Sequence, residues 1–341
     1  MTNGRPQRIV LAHGGGGQLT DELLGDCVLP RLGNGVLNQL LDAALLPDAA
    51  GGQLAMTIDS FVVKPWEFPG GNIGHLAVAG TVNDLAVCGA TPLGLALSLV
   101  LTEGWPIAAL ETVLDAIKEA ADVAGVPVVT GDTKVVGHGH GDGIVITTAG
   151  VGRVPAGLQL GPTQVRAGDR LLINGPIGEH GLAVMLAREM PELQTPVQSD
   201  VAPLNGLIAA ALVAAPGAVR FMRDPTRGGL AGLCVDLARQ SGYRVVLDET
   251  QILVRPQAQH AAELLGLDPL EIANEGKVVM VVAPEAADAV IAALRAHPLG
   301  RHAAVIGTID GARDGLCEMR TMIGGRRIVA KPYGEQLPRI C

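Results

Sequence analysis

Apolar and polar residues alternate through "QLAMTIDSFVV", the two-residue period of a half-buried strand that ends near Asp59. The stretch "HLAVAGTVNDLAVCGA" predicts a helix over roughly 74–89, and the continuous apolar run "LGLALSLVL" at 93–101 has the length of a buried strand. Across "PIAALETVLDAIKEAADVAG" the period becomes helical: Leu110, Val113, Leu114, Ile117 and Ala121 share one face, and Gly125 supplies the stop. Two further strands, "VPVVTGDTKVV" and "GIVITTAGVGRV", close a first α/β unit near residue 154.

A Pro/Gly-rich stretch at 155–168 reads as a linker. Beyond it, "RLLING", "PIGEHG" and "LAVMLARE" read as strand, glycine loop and helix. A helix near 204–215 follows, then the loop and helix "DPTRGGLAGLCVDLARQSG", the strands "RVVLDE" and "NEGKVVMVVA", a helix over about 285–296 and the strand "AAVIGTI". The expected organisation is therefore α/β: a Gly-rich leader at 1–40, an N-terminal domain at 41–154, a C-terminal domain at 169–329 and an aperiodic tail at 330–341. Spacing alone fixes none of the strand pairings.

Composition narrows the partners. The 341 residues suffice for more than one domain, and two Trp, two Tyr and three Phe against 46 Gly leave the core to Ala, Val, Leu and Ile, with few platforms for stacking bases. A net charge of −9 without a basic run argues against nucleic acid and against an anionic membrane surface. Five scattered cysteines with no C-x-x-C pair suggest neither a disulfide framework nor a zinc knuckle, and a reducing compartment follows. The N-terminal stretch has no apolar run of signal-peptide length, and the uncharged segment at 201–219 is broken by Pro203, Gly206, Pro216 and Gly217, short of the roughly 20 residues a bilayer needs. A cytoplasmic location is expected.

Four motifs stand where strands end or helices begin, places at which backbone N–H groups and carboxylates can meet a phosphate and its metal: "AHGGGG" at 12–17, "TIDS" at 57–60, "TVNDLAV" at 81–87 and "TGDTK" at 130–134. Asp59, Asp84 and Asp132 are hard oxygen ligands of the kind Mg²⁺ takes, and Lys134 could neutralise charge on a phosphoryl group. Each aspartate read singly is better explained by capping a helix or turn, and only together do they point to a metal and a phosphate. No G-x-x-x-x-G-K-[ST] pattern is present, so a P-loop is not supported. "GEHG" and "DPTRGGL" each precede a helix, where Arg227 could grip an anion or Asp224 and Thr226 could be plain caps. Glu275 in "NEGK" could be an acid/base carboxylate or a solvent-facing loop residue. His138, His140 and Asp142 fit a hairpin tip better than a metal site, and Cys88 and Cys234 lie in apolar helical stretches as inert thiols. Cys341, after a polar and proline-marked segment, is either incidental or a mobile thiol that carries something.

Taken together, "AHGGGG", "TIDSFVV", "FPGGNIG", "GTVNDLAVCGA", "VTGDTKVV", "GEHG", "DPTRGGL", "NEGK" and "PRIC" resemble, in order and over nearly the whole chain, the HypE family of hydrogenase-maturation proteins. That family sits with aminoimidazole ribonucleotide synthetase and selenophosphate synthetase in one ATP-using superfamily, from whose other branches "PRIC" separates it. The resemblance implies a two-domain PurM-like fold whose N-terminal domains pair into a barrel across a homodimer. It implies ATP-dependent dehydration of a carbamoyl group on Cys341 to a thiocyanate, the source of cyanide for the iron of [NiFe] hydrogenase. The implied partners are the carbamoyl transferase HypF and the HypC–HypD iron scaffold, and the implied cofactors are ATP and Mg²⁺.

By the same resemblance Asp59, Asp84 and Asp132 would hold Mg²⁺; His13, Gly14, Gly15, Gly16, Gly17, Asn83, Thr133 and Arg227 would join Asp84 and Asp132 around the nucleotide. Lys134 would stabilise the γ-phosphoryl group and Glu275 would take the amide proton. The 11 residues from Lys331 span at most roughly 36 Å, a leash stiffened by Pro332 and Pro338, with Arg339 beside the thiol. Two other readings stay open: a superfamily kinase acting on a free substrate, with activity independent of Cys341, and a non-enzymatic scaffold whose tail is a metal or redox handle. A C-a-a-X lipidation signal is disfavoured by the cysteine's position.

Overall fold

The computed structural model describes Val10, His13 and residues 17–48, 51–193, 195–332 and 340–341. Gly14, Gly15, Gly16, Pro338 and Arg339 lie outside them. Short helices α1 (Gln18–Leu23) and α2 (Leu29–Leu32) lead into β1 (Ala44–Pro47), β2 (Gln53–Phe61), the two-residue pair β3 (Glu67–Phe68) and β4 (Gly71–Asn72), α3 (Ile73–Val87), β5 (Thr91–Thr102), α4 (Ile107–Ala124), β6 (Val128–Val136) and β7 (Ile144–Val154). The second half runs β8 (Arg170–Ile173), α5 (Glu179–Glu189), α6 (Asn205–Ala214), β9 (Val219–Arg223), α7 (Gly229–Ser241), β10 (Arg244–Asp248), α8 (Pro256–Leu265), β11 (Val279–Val282), α9 (Ala287–Ala296), β12 (Ala304–Asp310), β13 (Cys317–Arg320) and β14 (Arg326–Ile328).

The expected mixed α/β architecture holds. The first sheet is ordered β1-β2-β7-β5-β6, antiparallel except for the parallel β5–β6 pair at its edge. The second is ordered β14-β13-β10-β12-β8-β11-β9, with β10 and β13 parallel. In β11 alternate residues serve two cores: Val279 and Val281 pack with α7, whereas Met280 and Val282 pack with α6 and α9. That sheet is a filled layer between two helical layers, which is why its central strands read as continuous apolar runs.

Helix α3 begins at a reciprocal cap, in which the Asn72 side chain accepts from Gly74 and His75 N–H while His75 Nδ1 accepts from Asn72 N–H. It is apolar all round because it is buried all round: Leu76 and Val82 join the first core, Ala86 and Val87 a core shared with the second sheet. In α4 the buried stripe is Val113, Ala116, Ile117, Ala120, Ala121 and Ala124, ended by Gly125 at φ 67°. Leu114, assigned to that stripe by spacing, is instead 39% exposed. Strand β6, whose place in the sheet spacing did not fix, is an exposed edge. No helix among the described residues is long and apolar enough to cross a membrane.

Candidate active site

Where the two sheets meet, a cavity of about 630 Å³ opens, a volume suited to a nucleotide-sized ligand. Asp59 reaches it from β2, Asp84 from the last turn of α3, Asp224 and Arg227 from the β9–α7 loop, Glu275 from the loop before β11, and Cys341 from the chain's last position. Neither Asp59 nor Asp84 caps a helix. Helix α7 starts at Gly228 with no side-chain cap, so Asp224 and Thr226 are not caps either.

Local sequence explains how these loops hold their shape. Gly229 has φ 59°, and a Cβ there would come within 2.5 Å of Leu270 O, so only glycine lets "TRGG" turn into α7. A Cβ on Gly276 would meet Asp200 O at 1.8 Å, which accounts for the glycine of "NEGK". Asp200 braces that loop, accepting N–H bonds from Glu275 (3.2 Å) and Gly276 (3.3 Å) and pairing with buried Lys277 at 2.7 Å. Asn274 stitches three motifs together: its Oδ1 accepts from Gly178 N–H at 2.7 Å, and its amide donates to the carbonyls of Pro225 and Ile272.

The acidic residues raise one another's pKa. Thr57 Oγ donates to Asp84 Oδ2 at 2.8 Å, yet burial, then the charges of Asp224 and Asp59, push Asp84 well above the carboxylate range. Asp224 is pushed up to about 7, chiefly by burial and then by Asp42. Asp42 is raised by burial although Arg223 sits 3.0 Å away. Glu275 is 3% exposed, its Oε1 has no hydrogen-bond partner, and burial plus the charges of Asp224 and Asp200 raise it far above a free glutamate. Such a carboxylate is a stronger base than its type allows in water. Beside it the Cys341 thiol, hydrogen-bonded to the Arg227 guanidinium, is pushed up to about 11 by burial, which outweighs the opposing pull of Arg227.

The sequence-derived residues do not all meet here. Asn83 is buried, but its amide donates to the carbonyls of Ala202 and Glu275 and its Oδ1 accepts from Leu204 N–H, so it positions the Glu275 backbone and does not line the cavity. Asp132, Thr133 and Lys134 stand exposed on β6, with Lys134 Nζ 2.9 Å from Asp132 and Thr133 N–H bonded to the same carboxylate, away from the cavity lining. His13 turns its ring to the Val10 backbone, and Gly17 is buried ahead of α1. Glu275 is no solvent-facing loop residue. Sequence reasoning passed over Asp42, Asp200, Arg223 and Asn274, whose roles arise from contacts between distant segments. His138 and His140 lie in the exposed β6–β7 turn, and among the described residues no three His, Cys, Asp or Glu side chains converge closely enough to hold a metal ion alone.

Residues 41–154 match the model for the N-terminal domain of AIR synthase related proteins, and residues 166–316 match that for the C-terminal domain. The chain is 49% identical to carbamoyl dehydratase HypE of Cupriavidus necator over 334 residues, covering 98% of this chain and 95% of that protein. Among solved structures it resembles HypE in a HypE–HypF complex (TM-score 0.86, 41% identity, 91% of this chain and 99% of that one). It also resembles HypE in complex with ATP (TM-score 0.81, 41% identity, 98% and 100%).

Proposed function

Because this chain belongs to the HypE family of carbamoyl dehydratases, enzymes of hydrogenase maturation, we propose that it uses ATP to convert an S-carbamoyl group on Cys341 into a thiocyanate. One observation supports this above the rest: the Cys341 thiol shares a cavity with the buried carboxyl of Glu275, whose Oε1 has no hydrogen-bond partner, and with a cluster of aspartates. A thiol seated there puts its cargo within reach of both a base and a nucleotide. A free-substrate kinase would have no use for it.

The chemistry assigns work to each group. The carbamoyl oxygen is a poor leaving group, so it first attacks the γ-phosphorus; the bond to ADP breaks and one nitrogen proton is lost, giving an O-phosphorylated thioimidate, S–C(OPO₃)=NH. Glu275 takes the proton from nitrogen, and Arg227 holds the sulfur end in place. The C–O bond then breaks as the departing phosphate, which carries the former carbamoyl oxygen, takes the second N–H proton, and S–C≡N remains. The oxygen and one proton of the water removed end in hydrogen phosphate and the other proton on Glu275, so charge and atoms balance.

The residues present fit Mg²⁺. Asp42, Asp84 and Asp224 repel one another in a buried site, and hard oxygen donors beside a cation would relieve that repulsion. Asp59 and Asp84 would supply part of the shell and the phosphates the rest; bound there, the ion neutralises charge on the triphosphate. Gly14 to Gly17 and His13 would close over the phosphates.

Asp132, Thr133 and Lys134 would serve the nucleotide across a subunit boundary. The outer face of the first sheet carries exposed Met56, Ile58 and Val151, and its edge strand is exposed along nearly its whole length, with Val129 and Val135 each 67% exposed. A sheet with an exposed apolar face needs a cover, and a second copy paired into a barrel supplies it. HypF would load the thiol and a HypC–HypD scaffold would unload it.

Oxygen labelling tests the phosphorylation step. With ¹⁸O in the carbamoyl group, one ¹⁸O is expected in the phosphate released per nitrile formed; label released as water would refute activation by ATP.

A further inference from the structure

We propose that His180 is the positioning residue that seats the chain's last two residues, holding Cys341 against Arg227 and Glu275; its purpose rests on the carrier reading of Cys341. His180 is the second residue of α5 and has no accessible surface. A buried imidazole is tolerated when both nitrogens are paired. Its Nε2 lies 2.7 Å from the carbonyl oxygen of Ile340, which can only accept, so Nε2 carries the hydrogen. Nδ1 therefore presents its lone pair to Ser199 Oγ at 2.8 Å. Ser199 Oγ already accepts from Val201 N–H at 3.1 Å, which leaves its own hydrogen free for Nδ1. One neutral tautomer satisfies every group, and burial lowers the imidazole pKa in the same sense.

The seat has two further parts. Val62 N–H, just beyond β2, donates to Cys341 O at 3.2 Å, and the Ile340 side chain is 4% exposed within the first core. Phe68 meets the His180 ring edge-on at a centroid distance of 5.3 Å. Both hydrogen bonds read backbone carbonyls, so they fix where Cys341 sits without engaging its sulfur, which stays free for a cargo. The motif "GEHG" thus grips no anion through His180; its Glu179 faces Arg255 at 3.4 Å and its histidine holds the tail.

Competitive alkylation of the full chain tests the seat, because Cys27 is exposed and serves as an internal reference for Cys341. With limiting iodoacetamide, His180→Leu should raise the Cys341-to-Cys27 labelling ratio roughly three- to tenfold, the worth of one buried hydrogen bond. His180→Gln, which keeps an N–H donor, should restore most of the protection. In dehydration assays His180→Leu should lower kcat by a similar factor with the KM for ATP unchanged. An unchanged ratio in a folded His180→Leu chain overturns the proposal, as does equal loss of protection in the Leu and Gln variants. Should His180→Leu fail to fold, Ser199→Ala decides: a ratio about twofold above wild type supports the seat, and an unchanged one overturns it. A wild-type Cys341 that never carries a carbamoyl group would instead overturn the carrier reading, while the alkylation ratio still decides the seat.

Discussion

Glu275 is the residue on which the proposed chemistry turns, and its environment gives the reason. Its carboxyl is buried and one oxygen is unpartnered, so it has both the raised basicity and the free lone pair that proton abstraction needs. Glu275→Gln is expected to bind ATP normally and to lose about 10²- to 10⁴-fold in nitrile formation, measured as thiocyanate in single-turnover assays. The acidic cluster makes a second prediction. Asp224 is raised from an ordinary 3.8 to about 7, so its folding contribution is whole below its unfolded pKa and is lost as pH climbs through the folded one. The melting temperature of the nucleotide-free protein should therefore fall between about pH 4 and 7, and Asp224→Asn should flatten that fall. Asp59, Asp84, Arg227 and Glu275 stood out in the sequence because short motifs carry them. Asp200, Asn274 and His180 did not stand out as braces, since each acts on a partner tens to hundreds of residues away.

At the scale of elements, periodicity recovered those with one wet face most fully, and those buried all round were legible only as apolar runs. Helix α4 was legible apart from Leu114, and β2 ends as its alternation predicts. Helix α3 was legible only as an apolar stretch, because burial on every side erases the period. Strands β1, β13 and β14, of four, four and three residues, are too short to show a pattern, and β9 and α8 went unread for want of a clear apolar spacing. The "NEGK" loop owes its shape to the buried Asp200–Lys277 pair, at 4% and 7% side-chain exposure. Removing one partner leaves an uncompensated buried charge, so Asp200→Ala should cost about 3–5 kcal/mol in denaturant unfolding, whereas breaking a surface pair such as Lys118–Asp122 should leave the unfolding midpoint nearly unchanged.

For the whole molecule, one chain contains the cavity, the base and the thiol but leaves Asp132 and Lys134 on an open sheet edge. If two copies share their sites, a Cys341→Ala chain mixed with a Lys134→Ala chain should regain part of the activity that each lacks alone. Chains that are self-sufficient would regain none. The sequence held the ingredients of this arrangement but not the division of labour, because an edge strand reads the same whether its cover is a helix of its own chain or another copy. The most direct test of the account is mass spectrometry of the C-terminal peptide after incubation with a carbamoyl-donating partner system, with and without Mg-ATP, on wild type and Cys341→Ala. The account predicts a carbamoyl adduct on Cys341 that loses one water only when ATP is hydrolysed, and no adduct in the variant; an unmodified Cys341 in a folded protein with an active donor would contradict it.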